Sequence, residues 1–345
     1  MARKKILVTG GAGFIGGNFV QYMVNKYPAY DVYNLDVLTY AGDLTKHRNI
    51  ENKDNYFFVK ADIVDRGTII SLFEKEQFDY VVHLAAESHV DRSITDPGVF
   101  VRTNVLGTQV LLDASKHINV TKFVHVSTDE VYGELDFDPT TFFTEDTPLQ
   151  PNSPYSASKA SSDLLVRAYY ETYGLPMNIT RCSNNYGPYH FPEKLIPLTI
   201  SRLLNDEKVP IYGDGKNIRD WLHVWDHCKA VDLVMHEGRE GEIYNVGGHN
   251  ERTNLEVVKT IMTILSKSED LIEFVPDRLG HDKRYAIDPT KLENLGWKPT
   301  YTFENGIGQT ILWYLDNKQW WENILSGEYQ DYFINQYTIK NAKNC

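Results

Sequence analysis

Tyr155 and Lys159, in Tyr155-Ser-Ala-Ser-Lys159, lie four residues apart, so on a helix they share a face and the ammonium lies near the phenol. A cation there favours phenolate and makes the tyrosine a base toward a hydroxyl group. Upstream, Ser127-Thr-Asp-Glu-Val-Tyr-Gly133 sets two carboxylates, Asp129 and Glu130, side by side where a strand ends. An alcohol oxidation needs neither of them. The additional pair implies a second event: loss of a proton beside a newly made ketone and expulsion of water. A helix N-cap or solvated turn is the competing reading, since acids favour helix starts, and the Val-Tyr-Gly that follows argues for a built turn instead.

The N-terminal segment Lys4-Lys-Ile-Leu-Val-Thr-Gly10-Gly-Ala-Gly13-Phe-Ile-Gly16 is a strand, a glycine turn and a helix start in that order. Gly11-x-Gly13-x-x-Gly16 satisfies the dinucleotide fingerprint, and Gly10-x-x-Gly13-x-x-Gly16 overlays its variant spacing. Glycines let backbone N–H groups approach a pyrophosphate, which then sits at the positive end of the helix. Asp36 follows twenty positions beyond Gly16, where a carboxylate accepts hydrogen bonds from ribose hydroxyls and repels a 2′-phosphate. The expected cofactor is therefore NAD rather than NADP. Asp62 and Ile63, at the end of the third strand, are expected to flank the adenine.

These groups need a scaffold, and the pattern of the chain supplies one. Short apolar runs at Lys5–Thr9, Asp31–Leu35, Tyr56–Val59, Tyr80–Leu84, Phe123–Ser127 and Met177–Cys182 alternate with helical stretches at Ile15–Lys26, Arg66–Glu76, Phe100–Lys116 and Ser156–Tyr173. That alternation predicts an α/β fold: a Rossmann-like, doubly wound parallel sheet covered on both faces. After Asn185 prolines 188, 192, 197 and 210 interrupt the pattern, and a smaller C-terminal substrate-binding lobe is expected. The helical Asp226–His236 and strand-like Glu242–Val246 can return to the main sheet. The predicted division is residues 1–188 with about 222–248 for the NAD-binding domain, and about 189–221 with 249–335 for the other.

Composition narrows the function class. The 345 residues, 42% hydrophobic, suffice for a sizeable core, and a net charge of −12 disfavours nucleic-acid and acidic-membrane partners. An anionic substrate would need a local cluster of Arg and Lys. Three cysteines, Cys182, Cys228 and Cys345, without a CxxC spacing, point to neither a disulfide framework nor a zinc knuckle and fit a reducing cytoplasm. No run approaches a membrane-spanning length, and the N-terminus lacks a signal-peptide pattern. His223 and His227 have metal-like spacing but no further ligand, so no metal is assigned. His83, His125 and His223 flank apolar positions, where packing roles are expected.

With the glycine turn, Leu84-Ala-Ala-Glu-Ser88 and Tyr155-x-x-x-Lys159 in view, the chain resembles the extended short-chain dehydrogenase/reductases nearly end to end. Within them Ser127–Gly133, Arg181-Cys-Ser-Asn-Asn-Tyr-Gly-Pro188, Phe191-Pro-Glu-Lys-Leu-Ile-Pro197 and Arg219-Asp-Trp221 resemble the dTDP-glucose 4,6-dehydratase family. The resemblance implies that Tyr155, assisted by Lys159, takes the proton of the glucosyl 4-hydroxyl while hydride leaves C4. Glu130 would then remove the C5 proton, Asp129 would protonate the departing 6-hydroxyl, and Thr128 would hydrogen-bond the 4-oxygen. Return of hydride to C6 would yield the 4-keto-6-deoxy sugar without net redox. Asp129 must be protonated near neutral pH for its part, and crowding by Glu130 with partial burial would raise its pKa.

The same resemblance implies cofactor contacts at Gly10, Gly13, Phe14, Ile15 and Gly16, at Asp36, Val37, Leu38 and Thr39, at Leu84, Ala85 and Ala86, and at Thr103 and Asn185. On the nucleotide-sugar side it implies Ser88, Asn184, Lys194 and Leu195, then Pro210, Tyr212 and Arg219, then Asn254, Arg278 and His281. Arg219 has a physical rationale, since a fixed guanidinium grips a diphosphate in an otherwise acidic protein. The family often has proline where Leu279 stands. The tail beyond about Trp321 is assigned no role. Relatives pair through helices equivalent to Phe100–Lys116 and Ser156–Tyr173, so a homodimer is expected.

Two other functions share parts of this pattern. A nucleotide-sugar 4-epimerase uses the Tyr–Lys pair but no C5–C6 elimination, and a non-catalytic dinucleotide-sensing protein would need only the turn. GDP-mannose 4,6-dehydratases eliminate water too, and are expected to use NADP.

Overall fold

The apolar runs of the first half all become strands in the computed structural model, which describes residues 3–326. β1 (Lys4–Thr9) leads through the glycine turn to α1 (Phe14–Lys26), followed by β2 (Tyr30–Asp36), β3 (Tyr56–Lys60), α2 (Arg66–Glu76) and β4 (Tyr80–His83). Then come the short α3 (Val90–Thr95) and α4 (Pro97–Phe100), α5 (Thr108–Ile118), β5 (Lys122–Thr128), α6 (Pro154–Tyr173) and β6 (Met177–Cys182). The second half runs β7 (Asn184–Tyr186), α7 (Leu195–Leu204), β8 (Val209–Tyr212), β9 (Ile218–His223), α8 (Val224–Glu237) and β10 (Ile243–Val246). It ends with β11 (Glu251–Thr253), α9 (Asn254–Ile264), β12 (Ile272–Val275), α10 (Thr290–Glu293), α11 (Phe303–Asp316) and α12 (Lys318–Leu325).

Seven strands form one parallel sheet in the order β10-β6-β5-β4-β1-β2-β3. Every residue of β4, β5 and β6 is buried, as expected for strands covered on both faces. One face carries a core with Phe19, Met23, Val231 and Met235; the other is built with Phe73, Leu111, Phe123 and Val166. β10 pairs with β6, Tyr244 beside Thr180, so the chain leaves the sheet after β6, builds part of a second lobe, and returns. That lobe has its own core, including Ile200, Ile211, Val258, Ile307, Tyr314 and Trp321. Two small sheets, β11-β9-β7 and β12-β8, lie outside the main sheet. Residues 327–335 of the expected second lobe, and Cys345, lie outside the described residues.

The strand order reverses between β1 and β4, and the crevice beyond the carboxyl ends of those strands is where doubly wound sheets bind ligands. Two glycines make the approach there possible. Gly10 has φ +71°, and a Cβ on it would stand 2.6 Å from the Ala85 Cα; a Cβ on Gly16 would stand 2.2 Å from the Gly10 carbonyl oxygen.

One expected helix differs. Phe100–Lys116 is not continuous: α4 passes into a π-helical turn, Val101–Gly107, before α5. The buried Asn104 amide accepts from the Glu87 N–H at 2.9 Å and donates to the Glu87 carbonyl at 3.0 Å, while Thr108 Oγ1 donates to the Asn104 carbonyl at 2.6 Å. Those side-chain bonds support the wider turn, a feature that recurs beside functional sites. Gly107 sits tight against Ile63, where a Cβ would meet Ile63 Cδ1 at 2.5 Å.

Candidate active site

α6 carries the Tyr–Lys pair, and its start is fixed locally. Ser153 and Ser156 form a reciprocal capping box with Pro154 in the first turn, and Gly174 ends the helix in the left-handed region. Tyr155 and Lys159 thus come one and two turns after a firm cap. Tyr155 packs edge-on to Phe100, and Lys159 Nζ donates to the Val126 carbonyl of β5 at 2.9 Å. Burial works against the expected phenolate. Burial, with Glu130, Cys182 and Asp129, raises the Tyr155 pKa well above its usual value, and burial pushes Lys159 down to about 8. The Thr128 hydroxyl lies within hydrogen-bonding reach of the phenol and opposes that rise.

Asp129 and Glu130 open a single 3-10 turn, Asp129–Tyr132, capped by Thr128. Neither is a solvated turn residue. Asp129 is 1% exposed; its Oδ1 accepts from Thr128 Oγ1 at 3.3 Å, and its Oδ2 has no hydrogen-bond partner among the described residues. Burial first, then the charges of Glu130 and Asp220, raise its pKa well above the ordinary carboxylate value. Burial raises Glu130 too, but Arg278, Arg219 and Lys194 oppose it. Two adjacent carboxyls are thereby placed in unequal environments, one pressed by neighbouring negative charge and the other near three cations, which is how one site divides acid and base roles.

A cavity of about 590 Å³ joins these groups to the glycine turn. Its wall includes Gly10, Gly13, Phe14, Ile15 and Gly16, then Asp36, Val37, Thr39, Asp62 and Ile63, then Leu84, Ala85, Ala86, Ser88 and Thr103. On the opposite side stand Thr128, Glu130, Tyr155, Lys159, Asn184 and Asn185, with Lys194, Leu195, Pro210, Tyr212, Arg219, Asn254, Arg278 and His281 from the second lobe. Two expected site residues are off the wall. Leu38 sits at φ +60° and its N–H donates to Asp36 Oδ1 at 2.8 Å, shaping the loop instead of lining the cavity. Asp129 lies just behind the wall, between two residues that line it.

The glycine turn fits a dinucleotide. Gly13 begins α1 without a side-chain cap, which leaves first-turn N–H groups for an anion. A Cβ on Gly13 would lie 3.2 Å from the Gly10 carbonyl.

The second-lobe side chains are held individually. Arg219 donates to the Asp282 carbonyl at 2.9 Å and lies over the Tyr285 ring at 4.2 Å. Arg278 approaches Asp91 at 3.9 Å, Tyr212 donates to Asp91 Oδ2 at 3.2 Å, and Lys194 donates to the Ser88 carbonyl at 3.3 Å. His281 pairs with Asp277 at 2.6 Å, with its pKa pushed down to about 4 chiefly by burial. The histidines singled out in the sequence are engaged within the fold: His83 bridges Thr9 and Thr108, His125 meets Ser162, His223 stacks on Tyr301, and His227 bonds Asn185.

Comparison with known proteins settles the family. A family model described as GDP-mannose 4,6 dehydratase matches residues 7–310. A dTDP-glucose 4,6-dehydratase of Xanthomonas campestris pv. campestris (strain B100) is 53% identical over 343 residues, covering 94% of this chain and 97% of that protein. The chain belongs to the dTDP-glucose 4,6-dehydratase family. The crystal structure of a Streptomyces venezuelae member with NAD bound superposes with a TM-score of 0.89 at 48% identity, covering 93% of this chain and 99% of that one. A Thermus thermophilus UDP-glucose 4-epimerase shares the fold at 0.84 but only 30% identity, covering 91% and 99% of the two chains.

Sequence reasoning missed three acidic groups on the wall, Glu87, Asp91 and Glu193. Glu193 is 6% exposed, accepts from Tyr40 at 3.3 Å, and lies 3.7 Å from His89 and 3.6 Å from Arg92. Its signal was present in Phe191-Pro-Glu-Lys, but only the neighbouring Lys194 and Leu195 were taken from that motif.

Proposed function

We propose that the protein uses bound NAD to convert dTDP-glucose to dTDP-4-keto-6-deoxyglucose and water. The observation that carries this reading is the pair Asp129–Glu130, two carboxyls with separated proton affinities, beside Tyr155–Lys159 on one cavity. NAD, when bound, supplies a hydride acceptor at the start and the donor of that hydride at the end.

The protein's residues handle the protons. Tyr155 accepts the proton of the sugar 4-hydroxyl, with the Lys159 ammonium one turn away and the Thr128 hydroxyl beside the phenol. Glu130 takes the C5 proton once the C4 ketone has acidified it, and gives a proton back to C5 when hydride has returned to C6. Asp129 donates to the 6-oxygen as water departs, the role for which a raised pKa suits it. Arg219, Arg278 and Lys194 bring to an acidic protein the positive charge that a diphosphate requires. The two interleaved lobes, 1–188 with about 222–248 and about 189–221 with 249–335, enclose the site and keep water from the reactive intermediate.

Two copies are proposed to pair through the outer faces of the α4–α5 region and α6. Val101, Leu106, Leu164 and Tyr173 are each large, apolar or aromatic, and exposed there. The buried free thiols Cys182 and Cys228 support a cytoplasmic location, and no helix among the described residues is long and apolar enough to cross a membrane.

The test is incubation of the purified protein with dTDP-glucose, UDP-glucose and GDP-mannose, without added cofactor. The expected result is the alkaline absorbance of a 4-keto-6-deoxy sugar from dTDP-glucose. Its absence, with a 4-epimer formed instead, would overturn the reading.

A further inference from the structure

Lys46 is a lysine buried almost completely, 2% exposed, that the proposed reaction does not use. It lies on the short 3-10 turn Leu44–His47, capped by Asp43, which accepts from the Thr45 N–H at 2.9 Å. Its Nζ donates to the Ala12 carbonyl at 2.9 Å. Ala12 is inside the glycine turn, and its peptide is gripped on both sides. The Ala12 N–H donates to Asp36 Oδ2 at 3.0 Å, and its carbonyl also accepts from the Asp43 N–H at 3.0 Å. The lysine stem packs under α1, where a Cβ on Gly17 would meet Lys46 Cδ at 3.1 Å. Asp43 is tied in turn to the second lobe, accepting from Trp320 Nε1 at 2.6 Å.

Charge makes this arrangement more than packing. The turn sits between two carboxylates, Asp36 and Asp43, where a dinucleotide adds further negative charge. The cations on the cavity wall, Arg102, Lys159, Lys194, Arg219 and Arg278, come from neither β1, the turn nor α1.

We propose that Lys46 is a cofactor-positioning residue, whose buried ammonium fixes the Ala12 peptide and offsets Asp36 and Asp43 so that the anionic dinucleotide is retained. This rests on the NAD reading above.

Burial, against the attraction of Asp43 and Asp36, pushes Lys46 down to about 8. The other titratable groups packed around it are His47, pushed to about 4, and Tyr56 of β3, pushed up by burial; the nearby Arg48 is exposed. An anion held by the ammonium stabilises its charged form, so NAD affinity falls as pH rises through that region. Lys159, also pushed to about 8, titrates in the same window, so the test separates the two.

NAD dissociation constants are measured by fluorescence titration from about pH 6.5 to about pH 9.5 for wild type, Lys46→Gln and Lys159→Met, with retained nucleotide assayed in each purified protein. Lys46→Gln, which keeps a donor for Ala12 but no charge, should bind about tenfold more weakly at neutral pH, the scale of one lost charge-assisted contact. Lys159→Met should keep a decline in affinity as pH rises, because Lys46 remains. Wild-type affinity and pH slope in Lys46→Gln, or a flat profile in Lys159→Met, would overturn the proposal alone. If Lys46→Gln does not fold, the Lys159→Met profile still decides. A wild-type protein that binds no NAD at any pH would overturn the NAD reading as well.

Discussion

The proton chemistry depends on where individual carboxyls and phenols are buried. Glu130→Gln removes the group assigned to the C5 proton, and turnover should fall by roughly 10²-fold or more, with the nicotinamide trapped in its reduced, absorbing form. Tyr155→Phe should slow the first hydride transfer by a similar factor in single-turnover experiments, and no reduced cofactor should accumulate. Asp129 gives a sharper test, because its raised pKa has a stability cost. The folded protein holds that proton more tightly than the unfolded chain does, so stability falls as pH rises from the ordinary carboxylate value through the raised one. At neutral pH Asp129→Asn should therefore stabilise the fold, by on the order of 1 kcal/mol, while turnover collapses. Calorimetry at neutral pH showing a less stable Asp129→Asn protein would remove the argument. The residue types and spacings of the Tyr–Lys and Asp–Glu pairs were legible in the sequence. The upward pressure on the Tyr155 pKa was not, since it follows from burial and from carboxylates brought in by the fold.

Elements set the angles at which those residues meet. The capping box at the start of α6 orients the turn that bears Tyr155, so Ser153→Ala should lower stability by about 1 kcal/mol. Because the same turn aims the phenol, kcat should fall more than KM rises; an unchanged kcat in the folded variant would show that the cap serves stability only. The strands of the first half were readable because burial on both faces leaves uninterrupted apolar runs. The break at Val101–Gly107 was not readable, because a π-helical turn changes the helix locally while the surrounding apolar spacing continues. What supports it is Asn104, pinned to Glu87, a tertiary contact that no local pattern announces.

At the scale of the molecule, the first part of the chain meets the second at the cavity, where Asp91 faces Arg278 and Tyr212. The exposed apolar residues of the α4–α5 region and α6 are where the proposed dimer would pair. Leu164, 59% exposed on α6, makes the test direct. Leu164→Glu should shift sedimentation at low micromolar concentration from dimer to monomer, whereas a wild-type protein already monomeric there would end the dimer proposal. The return of β10 to the main sheet could be anticipated from an apolar run after a helix. Its pairing with β6 was decided by the free edge that β6 offered.

By itself the sequence determined the strands of the first half, the glycine turn, the spacing of the Tyr–Lys and Asp–Glu pairs and the family, because each is carried by short-range spacing. Only the tertiary structure decided which of those groups are buried and which charges face them, that Asp129 stands behind the cavity wall, and that Lys46 lies beneath the glycine turn. Those properties depend on burial and on charges from distant segments, and spacing along a chain encodes neither.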